Sequence, residues 1–136
     1  MPAPANELQA AVFSILTSDA GLTALVGGRV YDRVPMDGDQ APYITFGPSD
    51  EVSDDAECMI ADDHTLQIDI WSEYQGGFKE AKEIAFAVKQ ALHGVDIDLP
   101  THALIEIRAD NRRYLRDPDG VTSHGIVTVE AMIEER

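Results

Sequence analysis

Apolar residues recur at helical spacing in two stretches of the chain. The first begins after a predicted N-cap at Asn6, and its apolar stripe consists of Leu8, Ala11, Val12, Ile15 and Leu16. A short second helical turn follows the break at residues 18–19 and ends at the glycine pair 27–28. The clearest helix covers about 77–92. Its buried side is predicted to carry Phe78, Ala81, Ile84, Ala85, Val88 and Leu92, opposite Lys79, Lys82, Glu83 and Lys89.

Other segments show the two-residue period of half-buried strands. Residues 65–71 place Leu66, Ile68 and Ile70 on one face, and 126–133 alternate in the same way. Shorter β-branched or aromatic pieces lie at 30–31 and 43–46, separated by a turn-rich stretch at 35–42. In 103–108, Ile105 and Ile107 are expected to share the buried face. A turn signal at 117–120 predicts that the last two strands form an antiparallel hairpin.

The order of these elements predicts the fold class. Short connections favour a mainly antiparallel sheet of about four to five strands, with two helices packed on one face. A chain of 136 residues is the size of one domain. We therefore predict a single α+β domain over residues 1–136.

Residues 49–63 interrupt this pattern with a concentration of negative charge. The segment holds seven acidic residues and no lysine or arginine, and the acids are Asp50, Glu51, Asp54, Asp55, Glu57, Asp62 and Asp63. We predict an acidic loop or hairpin inserted at about 49–63 that does not pack as a core element.

The overall charge narrows the class of partners. The chain has 25 acidic and 10 basic residues, a formal net charge of −15 at pH 7. Such a surface disfavours capture of nucleic-acid phosphates and docking on an anionic membrane, because both require excess lysine and arginine. No apolar stretch is long enough to span a bilayer, the N-terminus lacks signal-peptide regions, and the single cysteine closes no intrachain disulfide. We expect a soluble chain of a reducing compartment.

Candidate chemistry is sparse, and we predict no catalytic residue, cofactor or metal. The strongest metal candidate is the run Asp62, Asp63 and His64, with Asp54, Asp55 or Glu57 as further ligands. Adjacent residues of an extended chain point to opposite faces, so a solvated acidic loop is the simpler interpretation. A small metal-binding or enzymatic domain built on these residues remains an alternative.

Two weaker pairings also suggest chemistry. Asp96 and Asp98 resemble a carboxylate pair for acid–base work, but loop residues after a helix often have this composition. Cys58 and His64 resemble a nucleophile and base, but the surrounding carboxylates disfavour a thiolate.

Self-association is the function class that the remaining features favour. Trp71 falls on the polar face of its strand, where a partner or a loop usually covers an aromatic ring. Four arginines in one late stretch, at 108, 112, 113 and 116, complement the acidic segment and predict attraction between copies, and head-to-tail contacts close into rings. The predicted contact residues are Trp71, Arg112, Arg113, Arg116, Asp54, Asp55, Asp62 and Asp63.

Several motifs in order resemble the tail-completion, or tail-terminator, family of tailed phages and phage-like gene transfer agents. After the N-terminal helix come GRVYD at 28–32, APYITFG at 41–47 and LQIDIWS at 66–72. A Gly-Gly step at 76–77 then leads into a helix, and RYLRDPDG follows at 113–120. The resemblance covers about residues 8–133, and the acidic segment at 49–63 matches no motif of the family.

The resemblance implies a structural virion protein rather than an enzyme. Family members are expected to form a ring, commonly a hexamer, on the tail tube, to stop tube growth and to present the head-attachment surface. Implied partners are further copies of the chain, the major tail tube protein and the head–tail connector. DNA is expected to pass through the ring without specific binding, and an acidic lumen would repel its phosphates. The particle would be assembled in the bacterial cytoplasm. A dimeric bacterial interaction module is a third possibility.

Overall fold

The computed structural model describes residues 2–34 and 40–136, so the predicted turn at 35–42 lies mostly outside the described residues. The described part contains three helices and five strands. In chain order these are α1 Pro4–Ser18, α2 Ala20–Val26, β1 Val30–Tyr31, β2 Tyr43–Ser53, β3 Ala61–Ser72, α3 Lys79–Leu92, β4 Ala103–Arg116 and β5 Ser123–Glu134.

The strands form one sheet in the order β1-β2-β3-β5-β4. β1 pairs parallel to β2, and the remaining pairs are antiparallel, including the predicted β4–β5 hairpin. The α+β class is therefore confirmed, with a mixed rather than purely antiparallel sheet. The predicted second helical turn is a helix of its own, because the Asp19 carboxylate accepts a hydrogen bond from Leu22 N at 3.0 Å and caps α2.

Alternation along β3 and β5 places one face of the sheet against the helices. Leu66, Ile68 and Ile70 are buried as predicted, and their neighbours on β5 are Val127, Val129, Ala131 and Ile133. The packing is close where α3 crosses β5. A Cβ atom at Gly125 would lie 3.3 Å from the Ile70 Cβ and 3.7 Å from the Ala81 Cβ. Glycine at this position therefore leaves room for the Ile70 side chain of the neighbouring strand.

Two local predictions are wrong. Helix α1 begins at Pro4, a residue suited to the first helical position, rather than after a cap at Asn6. In β4, Ile107 is buried but Ile105 is 52% exposed. The register of β4 shifts between Leu104 and Glu106, and this β-bulge breaks the alternation that the sequence pattern assumed.

The acidic segment at 49–63 joins the sheet at both of its ends. Residues 49–53 continue β2 and residues 61–63 begin β3, which leaves a turn at 54–60. The Asp55 Oδ1 atom accepts a hydrogen bond from Ala61 N at 3.1 Å and holds this turn. Ala61 and Asp62 are buried, so the expected exclusion of the whole segment from the core is wrong for these residues.

Within the described residues, no single helix is long and apolar enough to cross a membrane. Helices α1 and α2 meet the length and composition requirements only as a pair, and they are bent by 78° relative to each other.

Candidate self-association surfaces

The register of the sheet places Asp62 and Asp63 at one end and Arg116 at the other, while Arg108 and Arg136 lie nearer the acidic end. We call the end with the 54–60 turn the hairpin end, and the opposite end, where β3 finishes at Ser72, the α3 end. Ser72 pairs with Ser123, which pairs with Arg116. The run of β3 from Ala61 to Ser72 spans roughly 35 Å at about 3.3 Å per residue. The predicted acidic and basic contact residues therefore cannot meet within one chain.

Carboxyl groups repel one another at the hairpin end. The pKa of Asp63 is raised from its usual value of 3.8 by partial loss of hydration and by the charge and hydrogen bond of Asp54. The pKa of Glu135 is raised from 4.5, mainly by its hydrogen bond to Asp62 and the charge of that residue. Each raised pKa means that the ionised form is disfavoured here. A cation placed beside these groups would relieve that cost.

The predicted arginine group is divided between the two faces of the sheet. Arg112 pairs with the buried Val127 and Arg116 with the buried Ser123, so both point to the helix-covered face. Arg113 pairs with Ile126 and lies on the open face. The Arg112 Nη1 donates a hydrogen bond to Ala109 O at 3.1 Å. These residues therefore do not form a single patch, because successive side chains of a strand alternate.

A cationic groove on α3 lies beside Arg116 at the α3 end. This α3 groove is an open depression of about 530 Å³ lined by Phe78, Lys79, Lys82, Glu83 and Phe86. The Arg116 guanidinium lies 4.7 Å from the Phe78 ring centroid, and the Lys82 Nζ lies 5.6 Å from the Tyr114 ring centroid. These are cation–π contacts, which keep the positive charges close to apolar surface.

The α3 groove was missed by reasoning from sequence alone. The sequence pattern places the lysines opposite the buried side of the helix and assigns no role to Phe86. The signal was Phe86 itself, because it falls outside the buried stripe and is 52% exposed beside lysine side chains. An exposed phenylalanine next to charges of one sign marks a surface suited to binding.

Trp71 already has partners within the chain. Its ring stacks on His124 with the centroids 4.0 Å apart and an interplanar angle of 10°. Its Nε1 donates a hydrogen bond to the Thr45 Oγ1 at 3.0 Å. The His124 Nε2 lies 2.7 Å from the buried Asp69 carboxylate, which fixes the imidazole ring. Trp71 thus completes a polar network on the open face, and its contact with another chain stays a prediction.

The residues of the metal alternative do not converge. His64 and Asp62 pair with the buried Ala131 and Ile133, so they face the helices, whereas Asp63 points to the open face. In residues 2–34 and 40–136, no three histidine, cysteine or acidic side chains are placed to hold a metal ion together. The His64 Nε2 is buried and has no hydrogen-bond partner among these residues.

The weaker catalytic pairings are also separated in the structure or solvent-exposed. Cys58 is exposed in the 54–60 turn, while His64 is buried on the helix side of β3. Asp96 and Asp98 are both exposed in the irregular connection between α3 and β4. Neither pair forms a hydrogen-bonded site.

The fold and the comparisons with known proteins define one class of protein. The family model for tail completion protein gp17 matches residues 10–134, and the chain belongs to this family of structural phage tail proteins. The chain is also similar to one in the solved structure of the virion of a native gene transfer agent particle. That match has a TM-score of 0.90 and 31% identity, and it covers 98% of this chain and 99% of the other. No curated protein matches.

These matches confirm the family resemblance and the expected association with virion-type particles. They support a structural role in the tail.

Proposed function

We propose that this protein forms a ring on the end of the tail tube, stops tube growth and presents the surface to which the head attaches. The observation that carries this proposal is the placement of two predicted contact surfaces at opposite ends of β3, with Asp62 and Asp63 at the hairpin end and Arg116 at the α3 end. Membership of the tail completion family supports a role in the tail.

The separated ends favour a head-to-tail contact between copies. Asp54, Asp55, Asp62 and Asp63 of one copy meet the α3 end of the next copy, which carries Trp71, Arg112, Arg113 and Arg116. Since the two patches differ, the contact is heterologous, and a heterologous contact with the right rotation closes into a ring. We propose six copies in that ring, as the family resemblance implies.

The ring has different neighbours on its two rims. One rim binds the major tail tube protein and the other binds the head–tail connector. DNA passes through the centre without specific binding, because a chain with a net charge of −15 repels phosphates on balance. An assembled structure with bases lining the hole and acids on the outer rim would contradict this part of the proposal.

The protein acts without catalysis in this proposal. Its titratable side chains serve contacts between copies rather than a reaction. The enzymatic alternative would need Asp62, Asp63 and His64 on one side of β3, and the strand places them on two. A dimeric module would need the acidic patch of each copy to meet the basic patch of the other at the same time, whereas a ring needs one such contact with each of two neighbours.

Loss of the protein from particle-producing cells tests the tail function. We expect tubes of irregular length and unattached heads by electron microscopy, with both restored by the wild-type chain supplied in trans. Tails of normal length joined to heads in the absence of the protein would overturn the proposal. Native mass spectrometry of the protein released from particles distinguishes a hexamer from a dimer.

A further inference from the structure

The acidic hairpin carries apolar side chains that have no place in a purely repulsive loop. Ile60 ends the 54–60 turn on the helix side of the hairpin and is 58% exposed, whereas Val52 pairs with Asp63 on the open face and is 62% exposed. Both lie among carboxylates, with Glu51 before Val52 and Asp62 after Ile60. The hairpin tip therefore presents apolar surface surrounded by negative charge, a pattern typical of an interface core with a charged rim.

The α3 groove has the complementary chemistry. Phe86 is 52% exposed, and Phe78 lies at the other end of the groove from it. All three lysines of the chain lie on α3, and two of them line the groove. The ion pairs found among residues 2–34 and 40–136 are formed by Arg108, His124 and Arg136, and none by a lysine. The groove lysines are thus available to an acidic partner.

We propose that the hairpin tip of one copy docks into the α3 groove of the next. Ile60 covers the groove phenylalanines, while Asp54 and Glu57 lie against Lys79 and Lys82. This contact rests on the proposed ring and specifies which surfaces meet in it. In this contact the basic partner of the hairpin is the α3 groove, which lies on the helix side beside Arg116. Arg113 lies on the open face and is not part of it.

A second copy of the chain suits the α3 groove better than a nucleic acid or the hairpin of the same chain. A nucleic acid would be attracted to the same lysines but repelled by the rest of the chain, and it would not need the exposed Ile60. The hairpin cannot reach the groove of its own chain. Ile70 packs beside Ala81 at the base of α3. The eight residue steps along β3 from Asp62 to Ile70 span more than about 25 Å.

The single cysteine of the chain allows a direct test. Cys58 is exposed in the turn, and Glu83 lines the groove. A disulfide requires Cα atoms within about 7 Å, so a cysteine introduced by Glu83→Cys can bond to Cys58 only in another copy. We expect mild oxidation of particles carrying this variant to produce a ladder of covalent multimers on non-reducing gels. The ladder should exceed that of the wild type by at least about tenfold, because disulfide geometry is selective.

Three controls make the test specific. Adding Cys58→Ser to Glu83→Cys should abolish the ladder, and Ser14→Cys on the exposed side of α1 should give none. If Glu83→Cys fails to enter particles, Lys79→Cys tests the same groove. Particles that contain either groove variant but yield only monomer would overturn this contact.

The outcomes also separate this inference from the proposed function. A covalent product with the tail tube protein instead of a second copy would assign the groove to that partner and overturn the inference. Normal rings without a Cys58 link would reject the docking geometry alone. Absence of any ring in wild-type particles would reject both proposals.

Discussion

The charged side chains at the two ends of the sheet have different neighbours. At the α3 end, Arg116 lies over Phe78, Trp71 stacks on His124, and Asp69 holds the His124 ring, so these side chains have partners within the chain. At the hairpin end, Asp63 lies beside Asp54 and Glu135 beside Asp62, and the nearby Arg136 pairs with Glu134. The contrast indicates that the α3 end is already stable in one copy, whereas the hairpin end gains most from an added cation.

Truncating Trp71 should give the largest difference in the free energy of unfolding between a variant at the α3 end and a variant at the hairpin end. Trp71→Ala removes the stack on His124 and leaves Thr45 without its hydrogen bond. We expect a loss of about 3 kcal/mol in the free energy of unfolding. The hairpin counterpart Val52→Ala should cost less than about 0.5 kcal/mol, because exposed substitutions usually fall within that range. Urea unfolding of both variants measures the difference, and equal losses would refute the contrast between the ends.

Reversing charge in the α3 groove should affect assembly rather than folding. Lys79→Glu combined with Lys82→Glu replaces attraction by repulsion toward the hairpin of the next copy. We expect self-association to weaken about 100-fold, from roughly 1.4 kcal/mol for each reversed pair. The amount of variant protein incorporated into particles, together with sedimentation at several concentrations, measures this loss.

Rescue makes the charge experiment specific. Adding Asp54→Lys and Glu57→Lys to the groove variant restores complementarity and should recover assembly. Asp55 is left intact because its carboxylate holds the turn through Ala61 N. As a control, Asp96→Lys and Asp98→Lys are added to the groove variant instead of the two hairpin substitutions. They change the net charge by the same amount at a different exposed site. Equal recovery with this control would mean that net charge, rather than the proposed contact, governs assembly.

The smallest effect concerns proton binding at the hairpin end. Because the pKa values of Asp63 and Glu135 are raised in the folded chain, the folded state binds protons more readily than the unfolded state. Their stabilising contribution therefore appears as the pH falls through the raised folded pKa. It is complete below the usual values of 3.8 and 4.5, and it is lost as the pH rises again.

Titration by NMR checks this order directly. Asp63 and Glu135 should titrate at higher pH than Asp110 and Asp119, whose pKa values are lowered by hydrogen bonds from Arg108 and Thr122 respectively. In Asp54→Asn, the pKa of Asp63 should fall toward 3.8, because a charged neighbour is removed. An unchanged Asp63 titration in that variant would mean that Asp54 does not set its pKa.

Periodicity predicted the elements whose burial follows a regular spacing, such as α3 and the alternating faces of β3 and β5. It failed where the backbone departs from that spacing, at the bulge that exposes Ile105. It also grouped Arg112 and Arg113 because they are adjacent in sequence, although strand alternation sends them to opposite faces. The metal candidate Asp62, Asp63 and His64 separates for the same reason.

The sequence by itself determined the α+β class, the buried stripes, the seven acids of the hairpin and the motifs of the tail completion family, because each depends on local spacing or on order along the chain. Only the tertiary structure decided which charges lie together. Strand register placed Arg116 beside α3 and roughly 35 Å from the start of β3, and helix packing left Phe86 exposed between lysines. Those relations depend on contacts between distant segments, which no local pattern specifies.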